Sequence, residues 1–201
     1  MTEKILIIGA TGSIGRTVRN TILEKTDWEL VLFSRQAGRI AIDDSRETAI
    51  SGNVFDEGDL MEAMDGVTAV VVALTGDLGA MAQSIVTAMK QVGLERLIFI
   101  SSMGIYNEIP ARIGSHGNLE HNPVLQSYRE AADVVEASGL QYTVIRPGWF
   151  DNGNTNYTIS RKGQPFEGHD ISRQAIADFI LNLLEDDTLY VNESVGIHRP
   201  D

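Results

Sequence analysis

The run Lys4-Ile5-Leu6-Ile7-Ile8 leads without a break into Gly9-Ala10-Thr11-Gly12-Ser13-Ile14-Gly15, and an amphipathic stretch follows. Apolar strand, glycine-rich turn and helix in that order build the opening of a nucleotide-binding βαβ unit. Gly9 lets the chain turn sharply off the strand. Gly12 lets the backbone approach a pyrophosphate that a Cβ would strike, and Gly15 lets helix and strand pack closely. The helix start at Ser13 and Ile14, with Thr11 in the same turn, then offers unpaired N–H groups and the positive end of a dipole to the phosphates. The spacing is Gly-x-x-Gly-x-x-Gly, not the older Gly-x-Gly-x-x-Gly. A turn without a ligand is the alternative, and the strand before it and helix after it argue against that.

The pattern continues as alternating strands and helices. A helix is predicted over 13–25, with Ile14, Val18 and Ile22 on one face. Trp28–Phe33 reads as a second buried strand that ends in Ser34-Arg35. In dinucleotide-binding folds the tip of this strand meets the adenosine ribose. An acid there suits the 2′-hydroxyl of NAD and an arginine the 2′-phosphate of NADP. Arg35 occupies the tip, so NADP is the expected cofactor and NAD the alternative. Arg39 is a weaker candidate, and Arg16 reads as solvated. Residues 48–52 form a third strand, and Asn53 and Val54 follow it against the adenine. Asp56 and Asp59 read as cap or loop residues, and a helix over 58–64 turns Leu60, Met61 and Met64 inward.

Ala69–Leu74 is a continuous apolar run, the mark of a central parallel strand covered on both faces. Leu74, Thr75 and Gly76 leave its end near the cofactor. Leu78 to Val92 carries apolar residues at offsets of three and four and stops at Gly93. Arg96–Ile100 is the fifth strand and delivers Ser101, Ser102 and Tyr106 at its carboxyl end, where ligands bind in open α/β sheets. The segment 107–121 is an irregular polar loop holding His116 and His121, which lack a third ligand at metal spacing. Asn122-Pro123 opens a helix to about Ser138, with Tyr128 core-facing. Gln141–Arg146 is the sixth strand, and Pro147 and Gly148 leave it. Arg146 either binds an anion or forms an internal ion pair; Tyr106 either lines the substrate side or packs its ring with the hydroxyl in water. A hairpin is expected around Arg161-Lys162-Gly163, a helix capped by Ser172 comes next, and a short strand over 190–197 closes the chain.

A chain of 201 residues fits one α/β domain, 1–201, with 151–170 as an irregular insertion on the substrate side. A formal net charge of −12 argues against a nucleic-acid or anionic-membrane surface, which needs clustered Lys and Arg. No cysteine is present, so disulfides and thiol nucleophiles are excluded, and a cytoplasmic location is the simplest expectation. No apolar run is long enough to span a bilayer. The expected partner is a small-molecule substrate, and the chain is read as a monomer or homodimer.

Three stretches together resemble the atypical short-chain dehydrogenase/reductases, the NmrA-like and NAD(P)H-binding branch with its flavin-reductase-like members. They are Gly-Ala-Thr-Gly-Ser-Ile-Gly at 9–15, Ser-Ser-x-Gly-x-Tyr at 101–106, and Ser-Gly-Leu-x-Tyr-Thr-x-x-Arg-Pro-Gly at 138–148. The resemblance spans Lys4 to about Leu184. It implies a Rossmann-type doubly wound parallel sheet of order 3-2-1-4-5-6, with room for a seventh strand and helices on both faces. It places Ser102 as the active-site serine and Pro147-Gly148 beside the nicotinamide carboxamide. Family enzymes with full alcohol–ketone chemistry carry Tyr-x-x-x-Lys on the following helix, where the lysine lowers the tyrosine pKa. Here Tyr128 is followed by Ala132; in the alternative register Leu125 and Arg129 stand at the two places. The pair is broken in both. The expected function is therefore an NADPH-dependent reductase passing hydride to a small planar acceptor, flavin- or quinone-like, with Ser102 and Tyr106 as catalytic candidates. An NADP(H)-sensing regulator without turnover and an epimerase- or dehydratase-like enzyme are the alternatives.

Overall fold

The computed structural model describes residues 3–200. Five strands run in parallel through the centre: β1 (Lys4–Ile8), β2 (Glu29–Ser34), β3 (Glu47–Ser51), β4 (Ala69–Val72) and β5 (Arg96–Ile100). β6 (Gln141–Pro147) and β10 (Glu193–His198) continue the parallel run, and β8 (Thr158–Arg161) closes the edge antiparallel to β10. The sheet order is β3-β2-β1-β4-β5-β6-β10-β8. The expected 3-2-1-4-5-6 order holds, and the strand near the C-terminus is the seventh.

Side chains alternate across the sheet, and both faces are buried. Leu6, Ile8, Val70, Val72, Leu97 and Phe99 meet α2 (Glu57–Ala63), α3 (Leu78–Val92) and α4 (Gln126–Glu136) on one side. Ile5, Ile7, Val71 and Ile98 meet α1 (Ser13–Lys25) and α5 (Arg173–Glu185) on the other. A sheet covered twice needs near-continuous apolar strands, which is why β4 reads as an unbroken run.

Local signals set most boundaries. Asp56 caps α2 by accepting from Asp59 N–H at 3.0 Å, and Ser172 caps α5 by accepting from Ala175 N–H at 3.1 Å. Gly93 ends α3 with φ +73°. Four expectations are corrected. Asn122 makes no side-chain cap, and Pro123–Leu125 forms a 3₁₀ turn before α4 begins at Gln126. Met61 is 40% exposed, because α2 is short and only Leu60 and Ala63 along it reach the core. The Arg161-Lys162-Gly163 turn does not join a local hairpin: β8 pairs with β10, more than thirty residues later. The 151–170 stretch is also not wholly irregular, since β7 (Trp149–Asp151) pairs in parallel with β9 (Asp170–Ser172) across it. Among the described residues no helix is long and apolar enough to cross a membrane.

Candidate functional site

The glycine turn sits at the carboxyl ends of β1, β2 and β4, where the strand order reverses direction, the place ligands take in open α/β sheets. Gly9 N–H donates to Phe33 O at 2.9 Å, which ties the turn to the tip of β2. Gly9 has φ +94°, and a Cβ there would stand 2.1 Å from Ala73 O; a Cβ on Gly15 would stand 2.3 Å from Gly9 O. The protein's own packing therefore requires glycine at both. Gly12 differs. Its φ is −73°, and a Cβ would meet nothing nearer than Gly9 O at 3.3 Å. Gly12 is also the N-cap of α1, which has no side-chain cap and no acid in its first turn. The open N–H groups of Ser13 and Ile14, an exposed Gly12 and the half-buried Thr11 beside them form a cradle fitted to an anion. The Ile14 side chain itself is buried in the core, so only its backbone faces that cradle.

Around this turn the remaining candidates divide. Ser34 Oγ accepts from Gln36 N–H at 3.3 Å, folding the tip of β2 so that Arg35 is exposed, with no ion pair among the described residues. Arg16 and Arg39 are also exposed. Asn53 is exposed; its Oδ1 accepts from Phe55 N–H at 3.1 Å and its own N–H donates to Asp59 Oδ2 at 2.8 Å. Val54 is buried in the core beside it. Leu74 is half-buried against Gly9, and Thr75 is exposed. Gly76, at φ +118°, accepts at its carbonyl from Ser127 Oγ at 2.7 Å. Ser127 also accepts from Leu78 N–H at 2.7 Å, so one hydroxyl latches the β4–α3 turn to α4.

The ends of β5 and β6 form a second part of the site. A cavity of about 220 Å³ is lined by Ser101, Ser102, Met103, Gly117, Leu125, Tyr128, Pro147, Gly148, Trp149 and Phe150. Ser101, Ser102, Pro147 and Gly148 are thus brought together as expected. Ser101 is buried and donates to Tyr128 O at 3.2 Å; Ser102 is half-buried and donates to Met103 O at 3.0 Å. Gly148 packs so closely on His169 that a Cβ would stand 2.5 Å from its carbonyl. The walls are chiefly aromatic and aliphatic. Trp149 is 60% exposed and stacks on His169, with ring centroids 6.3 Å apart.

Tyr128 packs half-buried against the core, as expected, and also lines this cavity. The helical pattern put it on the inward stripe, and the pocket opens where α4 passes the β5 tip. Trp149 and Phe150 join the pocket wall without having been expected as site residues; two aromatics directly after a strand-end Pro-Gly are the sequence signal for them. Arg129, the other-register lysine place, serves elsewhere: it pairs with Asp133 at 2.8 Å and lies over the Tyr106 ring.

Tyr106 is the main departure. It is absent from the Ser102 pocket wall and lines a separate cleft with Asn107, Glu108 and Gly163. Gly104, at φ +85°, turns the chain, and Glu108 folds it back by accepting from Gly104 N–H at 3.1 Å and Tyr106 N–H at 2.9 Å. The ring then packs beneath Arg129, Arg146 and Lys162, and its hydroxyl donates to Glu136. Burial, and then Glu136, push the phenol's pKa up, so it stays protonated. Arg146 resolves as an internal ion pair with Glu108, and both side chains are buried. The loop after it is ordered by Asn118, whose amide bonds both the N–H and the carbonyl of Ile109 at 2.9 Å. His116 and His121 are exposed, with rings 5.9 Å apart.

Comparison with known proteins bears on the family and the fold. A short-chain dehydrogenase/reductase from Veillonella parvula, in complex with NADP, superposes with a TM-score of 0.92 at 30% identity, over 100% of this chain and 96% of that one. An uncharacterised sugar epimerase of Bacillus subtilis, YhfK, is 25% identical over 199 residues, 91% of this chain and 88% of that protein. The NAD(P)H azoreductase of Xenophilus azovorans is 27% identical over 170 residues, 80% of this chain but 54% of the azoreductase, so the chain spans about half that enzyme. The NAD(P)H-binding family profile matches residues 9–187, from the glycine turn to the end of α5. The chain belongs to the NAD(P)H-binding family of Rossmann proteins, among the atypical short-chain dehydrogenase/reductases.

Proposed function

We propose that the chain is an NADPH-dependent reductase of a small planar acceptor, flavin- or quinone-like. The observation that carries this reading is the pocket beside Ser102: flat aromatic walls from Tyr128, Trp149 and Phe150, and no lysine paired with Tyr128. NADPH, when bound, supplies a hydride. In this reading Gly12 leaves room for the pyrophosphate, Ser13 and Ile14 hold it with backbone N–H groups, and Arg35 pairs with the 2′-phosphate. Asn53 and Val54 border the adenine; Leu74, Thr75, Gly76 and Ser101 border the rest of the cofactor. Pro147 and Gly148 flank the nicotinamide end. Ser102 keeps its hydroxyl lone pairs free while donating to Met103 O, and it can rotate to orient an acceptor carbonyl. A flavin or quinone takes its proton from water, so no lowered phenol is needed. Tyr106 drops out of the catalytic set.

Steady-state NADPH oxidation against a panel of flavins and quinones tests the reading. Turnover is expected, and Ser102→Ala should lower kcat/KM about tenfold, the loss of one hydrogen bond to the acceptor. Equal rates in both proteins would discard the serine role. Tight NADPH binding with no turnover against any acceptor would favour a cofactor-sensing protein, to which the missing lysine also points. Arg35→Asp is expected to cut the NADPH-over-NADH preference by about 10- to 100-fold, since an acid repels the 2′-phosphate and accepts from a 2′-hydroxyl. A variant that still prefers NADPH as strongly would remove Arg35 from the site.

A further inference from the structure

Phe150 forms part of the acceptor pocket wall and is 41% exposed. The Arg173 guanidinium carbon lies 5.5 Å from the centroid of its ring. Arg173 Nη1 donates to two neutral oxygens, Asp151 O at 3.1 Å and Asn152 Oδ1 at 3.3 Å, and Arg173 makes no ion pair among the described residues. The neighbouring carboxylate is already engaged: both Asp151 oxygens accept from Arg199 Nη2, at 2.6 and 2.7 Å. The Arg199 hydrogen bond, the Gly153 N–H and the charges of both arginines hold the Asp151 carboxyl below its usual range. The carboxylate nearest Arg173 is therefore committed to Arg199, and the Arg173 guanidinium stands beside the pocket wall held only by neutral oxygens.

An arginine fixed by neutral oxygens keeps its remaining N–H groups for a planar anion, and its fork matches carboxylate and phosphate geometry. We propose that the acceptor is an anionic planar aromatic, its ring against Trp149 and Phe150 and its carboxylate or phosphate on Arg173. The inference deepens the reductase reading and rests on it for the ring's place in the pocket. A neutral ring would leave the guanidinium unused.

The test is equilibrium binding to the full chain with NADP⁺ present, followed by flavin fluorescence, with NADPH oxidation measured in parallel. FMN is compared with neutral riboflavin, and 10-carboxymethylflavin with neutral lumiflavin. Each anion is expected to bind about tenfold more tightly than its neutral partner. Preference for FMN alone assigns a phosphate, and preference in both pairs assigns any anion of this geometry. In Arg173→Gln the ratio should fall to about one, and Arg173→Lys should restore part of it. The wild-type ratio should also shrink as salt rises from about 20 to about 300 mM, because an accessible pair is screened; this readout needs no variant to fold. Equal binding within both pairs, or no flavin binding at all, overturns the proposal. With equal binding and continued NADPH oxidation, the reductase reading stands without it. An Arg173-dependent preference with no NADPH oxidation keeps the anion site and sinks the reductase reading.

Discussion

Glu108→Leu is expected to lower the unfolding free energy by about 3–5 kcal/mol. The carboxylate is 5% exposed and its partner Arg146 is 1% exposed. Removing it leaves a guanidinium buried without a counter-charge, while Ser194 Oγ at 3.1 Å is a neutral partner that cannot replace one. Two backbone donors, Gly104 N–H and Tyr106 N–H, lose their acceptor in the same step. The double variant Glu108→Leu/Arg146→Met removes the orphaned charge and should recover roughly half of the loss; the two N–H groups account for the remainder. Urea unfolding of the wild type, both single variants and the double variant measures the coupling. Additive losses would show that the pair is not coupled through its charges. The same carboxylate joins the Gly104 turn after Ser102 to the strand that ends in Pro147, so a folded Glu108 variant should also show a loosened pocket.

That ion pair marks where legibility in the sequence ends. Periodicity and glycine punctuation are local, and they were enough to place β1, the bounds of α1 and the Gly9–Gly15 turn; the strand order follows from the family resemblance, because no local pattern carries it. Ser101, Ser102, Pro147 and Gly148 could be read together because each ends a strand, and strand ends share one edge of a parallel sheet. Glu108 and Arg146 are 38 residues apart, and no spacing rule links them. The choice between an anion site and an internal pair at Arg146 therefore stayed open in the sequence. Tyr106 was misplaced for a related reason. Its position two residues after Gly104 suggests the pocket, but a left-handed glycine and the Glu108 carboxylate carry the ring away from it. Tyr128 and Trp149 became visible as pocket walls only when α4 and β7 were set beside the β5 tip. The antiparallel edge strand β8 was hidden because its partner lies at the other end of the last helix.

Gly12→Val should weaken NADPH binding by roughly 100-fold while leaving the fold in place, and the contrast with its neighbours is what makes it informative. A side chain at Gly9 or Gly15 collides with this chain's own backbone, at 2.1 Å from Ala73 O and 2.3 Å from Gly9 O. Loss of binding in those variants would report unfolding as readily as a lost phosphate site. Gly12 has an extended backbone, φ −73° and ψ 166°, which suits a β-branched residue. Its Cβ would meet Gly9 O at 3.3 Å, a contact that needs a shift of a few tenths of an ångström. Unfolding free energy is therefore expected within about 1 kcal/mol of wild type. What the valine does fill is the space above the open N–H groups of α1. Helix N-termini bind anions through those groups only at hydrogen-bond distance, so an isopropyl group there excludes the pyrophosphate. Nucleotide fluorescence titration and thermal unfolding on the same preparation separate the two effects. Wild-type NADPH affinity in a stably folded variant would move the phosphates away from this turn. It would also remove the reason that glycine stands at position 12.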